Sequence, residues 1–134
     1  MPVVVEWDNR QKTIMRMTVA GRWTWDEMYR SHDAGERLLN GTQHPYDVII
    51  DWSKSEDIPP AAITSAKSML DVRSPYIRAT VFVGANRPLR SLWRIFCRIY
   101  TRFVSRNTFL FADTVEEARA LLAGEAAPRP APRL

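Results

Sequence analysis

The chain is poor in the residue types that most often carry chemistry: one cysteine, two histidines and five glycines in 134 residues. Cys97 cannot form an internal disulfide, which fits a reducing compartment. A metal site needs three or four converging ligands, and neither His32 nor His44 has a partner at ligand spacing. Glu36 follows His32 by four residues and can meet it on a helix, but one helical turn supplies such pairs by chance. Five glycines leave little room for a phosphate cradle. Gly-rich phosphate loops, the G-x-S-x-G elbow and H-E-x-x-H are all missing. These gaps predict a protein without cofactor or metal and argue against most enzyme classes. No uncharged apolar run approaches the roughly 18 residues that span a bilayer. Nor does a charged-then-apolar leader open the chain, where Val3-Val4-Val5 runs straight into Glu6 and Asp8. A cytoplasmic location is the default expectation, with peripheral membrane association the variant considered below.

What is present suits one soluble α/β domain. Hydrophobic residues make up 46% and charged residues 25%, an ordinary globular balance. A chain of this length buries roughly two-thirds of its unfolded surface and needs no staple. The net charge of +4 is local in origin. Six arginines and no acid lie between Arg87 and Arg106; without them 13 basic residues face 15 acidic ones, a balance of −2. This argues against nucleic acid as a partner, because broad nucleic-acid binding wants a basic face built from several elements.

Val3 to Trp7 and Thr13 to Val19 read as an opening hairpin around the polar turn Asp8 to Gln11; Met15, Met17 and Val19 share one side. Thr24-Trp25-Asp26-Glu27 has capping-box spacing and starts a helix whose inner face would carry Met28, His32, Gly35, Leu38 and Leu39. Tyr46 to Trp52 is a nearly continuous apolar strand, with Ser53 to Asp57 as a polar loop. Pro59-Pro60 opens a second helix to Leu70. Ile77 to Val83 is a further strand, Leu89 to Val104 a long helix, and Phe109 to Phe111 a short strand. Thr114 to Glu117 repeats the capping pattern for a last helix with Val115, Ala118, Leu121 and Leu122 on one face, ending at Gly124. Strands alternating with helices imply a mixed, mostly parallel five-stranded sheet with about four helices and an N-terminal β-hairpin. Residues 1–124 are expected to form the domain, and 125–134, rich in Ala, Pro and Arg, a disordered tail.

The order resembles the STAS-like, SpoIIAA-like fold in three places: Met17 to Glu27, Asp47 to Ser53, and Phe109 to Leu122, together covering about residues 3 to 123. Regulatory members of that family carry a phosphorylatable serine in an Asp-Ser-Ser-Gly motif opening the second helix. This chain has Glu56-Asp57-Ile58-Pro59-Pro60 there, so the resemblance does not extend to the phospho-switch. Ser53 and Ser55, just before it, could be modified, with plain solvent-facing loop hydroxyls as the alternative. The ending is similar to a less characterised, lipid-exchange-like branch of the family.

Three residues invite chemical readings. Asp51 ends a central strand, where open α/β sheets often build sites, and a loop-capping role is its plain alternative. Cys97 lies among arginines, which would lower its thiol pKa, although free cysteines are most often small buried hydrophobes. The third is the basic helix itself. Arg90, Arg94, Arg98, Arg102 and Arg106 recur every four residues and spread over about 160° of its surface. Leu92, Trp93, Ile95, Phe96, Ile99, Tyr100 and Phe103 lie beside them, more than the three to four apolar residues per two turns that a surface helix buries. Either an unusually wide face is buried or some of these groups remain outside.

Two non-catalytic functions follow. In the first, the five arginines and Trp93 contact a protein partner or an anionic membrane surface, and exposed aromatics there could also serve a homodimer. The plain alternative is a solvated face whose arginine stems cover core edges. In the second, the protein carries a small apolar or lipid ligand in a pocket lined by Met15, Met17, Trp23, Trp25 and Phe96.

Overall fold

The hairpin is built as its alternation predicts. β1 (Val3–Trp7) pairs antiparallel with β2 (Ile14–Gly21), setting Val3 opposite Val19 and Trp7 opposite Met15. Asn9 organises the turn: its Oδ1 accepts from the Thr13 backbone N–H at 2.9 Å and its amide donates to the Thr13 hydroxyl. The structure, a computed structural model, describes residues 3–39, 41–56, 64–65, 76–101 and 108–125.

Helix α1 (Trp25–Leu39) starts on the expected capping box. The Glu27 N–H donates to Thr24 Oγ1 at 3.2 Å, and Glu27 Oε1 accepts from the Thr24 N–H at 3.0 Å. Its buried row runs through Met28, Ser31 and Gly35. That path corrects the expected inner face, since Leu38 is left exposed at the margin.

Strand β3 (Tyr46–Ser55) lies parallel to β2 and to β4 (Ile77–Val83). It continues three residues past Trp52, through what reads as loop, because Ala20 and Gly21 of β2 still pair with Lys54 and Ser55. Helix α2 (Arg87–Ile99) begins two residues before the expected Leu89. Asn86 is its N-cap, with Oδ1 accepting from the Leu89 N–H at 3.1 Å, and Pro88 sits in the first turn, where no N–H is required. Its regular run is interrupted at Tyr100, and Thr101 is helical again. Tyr100 leaves helical angles at φ −116° and ψ 48° while its N–H still donates to Phe96 O. Residues 102–107 lie outside the described residues.

Strand β5 (Thr108–Ala112) pairs parallel with β4, and α3 (Val115–Glu125) follows. Helix α3 runs one residue beyond Gly124 and leaves Leu121 exposed, with Ala118 and Leu122 as its buried contacts. Thr114 caps it through the Glu117 N–H, while the Glu117 carboxylate accepts from Asp113 N–H instead of the cap residue. Three helices are thus present among the described residues. The helix expected over 59–70 lies outside them apart from residues 64 and 65, which are helical.

The five strands lie in chain order, β1-β2-β3-β4-β5. Since β2 and β3, and β4 and β5, pair parallel and adjacent, right-handed connections put α1 and α2 on one face. That face carries α1 against Val19 and α2 against Phe82, Phe109 and Phe111. Among the described residues α3 covers the other, where Ala118 and Leu122 pack on Ile49, Val81, Val83 and Ala112. Burying each large aliphatic there stabilises by about 1.5–3 kcal/mol.

Two ion-pair clusters lock the layers. Asp47 and Arg78 join β3 to β4 with two hydrogen bonds, at 3.2 and 2.7 Å. Asp8, 2% exposed, accepts from Arg16 of β2 at 2.7 Å and from Arg119 of α3 at 2.8 Å. The N-terminal hairpin is thereby tied to the last helix.

Candidate functional site

Helix α2 is held to the sheet by aromatic groups. Trp93 stacks on Phe96 at 5.3 Å between ring centroids and lies 4.8 Å from Phe109 and 5.1 Å from Phe82. Phe96 is 2% exposed. Trp93 therefore belongs largely to the anchor of the helix. Arg90 also turns inward: its Nε donates to Ala85 O at 2.9 Å and its guanidinium lies 4.8 Å from the centre of the Phe111 ring.

The outer face is different. Arg87, Arg94 and Arg98 are exposed and have no acidic partner among the described residues. At about 100° per residue, Ile95 and Ile99 lie on the adjoining strip, 46% and 57% exposed. Of the two outcomes for this crowded helix, Trp93 and Phe96 are packed and Ile95 and Ile99 remain outside. Leaving them half-exposed forgoes about 1 kcal/mol each, from about 1.5–3 for full burial. Arg102 and Arg106 lie outside the described residues.

The five residues expected to line a pocket are not gathered around one space. Met17, Trp23 and Trp25 belong to a packed cluster with Val19, Met28, Ile50 and Trp52, in which Trp23 meets Trp25 at 4.8 Å and Trp52 at 5.6 Å. Met15 is buried beneath Gly35 of α1, and Phe96 lies in the aromatic anchor of α2. A side chain's period along a strand places it on a face, but adjacent helices divide that face into separate clusters.

The residues with chemical potential are committed locally. Asp51 Oδ1 accepts from both the N–H and the hydroxyl of Ser53, at 2.9 and 2.6 Å, which is the loop-capping role. Ser55 accepts the Trp23 indole N–H at 2.9 Å, so neither serine is merely solvated. His32 lies 3.8 Å from Glu36. At Cys97 burial pushes the thiol up, as the reading of a small buried hydrophobe implies and the arginine-lowered one does not. Among the described residues, no three His, Cys, Asp or Glu side chains come together as a metal would require.

A cavity of about 260 Å³ opens at the C-terminal ends of β3 and β4. Trp52, Ser55 and Glu56 form one wall; Asn86, Pro88, Leu89 and Leu92 form the other. Trp52 carries the one side-chain polar atom that is buried without a partner among the described residues, its indole Nε1. Such a group costs about 1–3 kcal/mol. Sequence reasoning passed over this wall, although the stop of strand β3 and the Asn86 cap two residues before Pro88 both mark it.

No protein-family model matches the sequence, and no curated protein matches it. Among solved structures the chain is similar to the crystal structure of an uncharacterized protein from the DUF3478 family with a SpoIIAA-like fold, from Shewanella loihica PV-4. The TM-score is 0.64 at 13% identity, covering 90% of this chain and 91% of that one. The fold is SpoIIAA-like, as the element order implied. No helix among the described residues is long and apolar enough to cross a membrane.

Proposed function

We propose that this protein is a non-catalytic binding module that rests on an anionic membrane surface through the outer face of α2. The reading is carried by one observation: Arg94 and Arg98, without an acidic partner among the described residues, stand beside exposed Ile95 and Ile99 on a face turned away from the core. Arginines near an anionic leaflet contribute about 1 kcal/mol each, and the isoleucines gain burial at the headgroup boundary. The strip is convex and one helix wide, about 20 Å long at 1.5 Å per residue. A deformable lipid surface accepts that shape directly, whereas a protein partner needs a matching groove. Local commitment of Asp51, Ser53 and Ser55, with a raised Cys97 thiol, supports a role without catalysis.

The test is sedimentation with phosphatidylcholine vesicles containing about one-third phosphatidylserine, against phosphatidylcholine alone. Salt-sensitive binding to the anionic vesicles is expected. Arg94→Gln with Arg98→Gln removes about 2 kcal/mol, or about 30-fold in affinity. Binding unchanged in that double variant, or equal on neutral vesicles, would refute the assignment.

A further inference from the structure

The outer strip of α2 also discriminates among anionic lipids. We infer that it selects glycerophospholipids whose phosphate is the sole headgroup charge, as in phosphatidylglycerol, over those whose net charge sits on a carboxylate, as in phosphatidylserine. Selection of this kind rests on the membrane reading of α2 and refines it.

The helix sets two strips side by side. At about 100° per residue, Arg87, Arg94 and Arg98 fall within about 40° of one another, and Ile95 and Ile99 centre about 100° round from them. Buried Phe96 lies a further ~80° on, towards the sheet. Along the axis each isoleucine is only about 1.5 Å from an arginine, Ile95 from Arg94 and Ile99 from Arg98. A flat surface that meets one strip therefore meets both.

Reach then sets depth. An isoleucine side chain is short, so Ile95 and Ile99 touch acyl chains only when α2 itself has settled to the headgroup boundary. The longer arginines on the adjoining strip are then carried past the headgroup tips, and their charged ends come to rest among the phosphates. Arg90 takes no part, since it donates to Ala85 O and lies against Phe111. Arg87, Arg94 and Arg98 are exposed without an acidic partner among the described residues, so three guanidinium groups face outward.

Chemistry at the phosphate layer distinguishes the lipids. A guanidinium is a planar fork that matches a phosphate with two parallel hydrogen bonds. In phosphatidylserine the phosphate is accompanied by an ammonium group of the same headgroup, and the net charge resides on a carboxylate nearer the water. Phosphatidylglycerol has the same net charge and no cation beside its phosphate. Its phosphates are the better partners at the depth the isoleucines impose.

The probes are phosphatidylcholine vesicles containing about one-third phosphatidylglycerol or about one-third phosphatidylserine, equal in size and net charge, sedimented with the full-length protein. The phosphatidylglycerol vesicles should bind about tenfold more tightly, equivalent to one charge-assisted hydrogen bond retained on binding. Arg94→Lys with Arg98→Lys keeps the charge and loses the fork. It should hold phosphatidylserine affinity within about twofold while the preference shrinks to about threefold or less. Ile95→Ser with Ile99→Ser removes the depth and should narrow the preference likewise. Circular dichroism confirms that both double variants keep the parent fold. Equal affinity for the two vesicles in the parent, or a full preference in either double variant, would overturn this selection and leave the membrane reading standing. Binding to neither vesicle would refute the membrane reading itself, and the selection with it.

Discussion

Replacing Arg119 with methionine tests whether the hairpin and the last helix are joined electrostatically. Methionine keeps an unbranched stem against its neighbours and removes only the guanidinium. In the native protein Arg119 donates to both Asp8 oxygens at 2.8 Å, across 111 residues of sequence. Asp8 is buried but keeps Arg16 at 2.7 Å after the substitution, and Arg119 is itself 42% exposed. The loss should therefore fall below the 3–5 kcal/mol of a fully buried broken pair and above a surface pair, at about 1–2 kcal/mol near neutral pH. Urea unfolding followed by tryptophan fluorescence measures it. Dependence on pH supplies the sharper test. Hydrogen bonds from Arg119 hold the Asp8 carboxyl below its usual range, against burial, which raises it. A carboxyl depressed on folding contributes stability that is fully present above its unfolded pKa, about 3.9, and lost as pH falls through the folded value. The gap between parent and variant should be constant from about pH 7 to pH 5 and close below about pH 4. A gap of the same size at about pH 3 would show that Arg119 acts through packing alone, and the reasoning would fail.

Further substitutions probe single features. A Cβ at Gly84, where φ is +69°, would meet Ser53 Cβ at 2.6 Å and its Cα at 2.7 Å, so Gly84→Ala should cost about 3 kcal/mol or more in urea titrations. Gly41→Ala is the control, with φ +80° and nothing within 4 Å; strain alone should cost it about 1–2 kcal/mol. Thr24→Ala removes the hydroxyl side of the α1 capping box, leaving the residue-24 N–H free to donate to Glu27, and should lower stability by about 1 kcal/mol, seen as a drop in Tm. Alkylation of Cys97 by iodoacetamide should rise with a midpoint pH above that of the urea-unfolded chain; a lower midpoint would mean that the arginines outweigh burial.

Much of the architecture was legible from local pattern. The hairpin alternation and the Thr24 and Thr114 caps are set within a few residues, where dihedral preferences and near-neighbour hydrogen bonds act. What failed was whatever depends on a distant neighbour. Strand β3 runs on to Ser55 because β2 supplies pairing partners more than 30 residues earlier. Met15 and Phe96 look like companions of Trp23 by composition, yet Met15 lies beneath Gly35 of α1 and Phe96 packs within the aromatic anchor of α2. The arginine spacing identified α2 as unusual, but not that Arg90 would turn in to Ala85 and Phe111 while Ile95 and Ile99 stayed out.

By itself, then, the chain's order of apolar periods and caps determined which segments become strands and helices, and that strands would alternate with helices. Tertiary structure alone decided which side of α2 meets solvent, which charges find partners, and where the Trp52 N–H is enclosed. The physical reason is one of range. Backbone hydrogen bonding and capping close over three or four residues, whereas burial and ion pairing are set by whichever segment the folded sheet brings alongside.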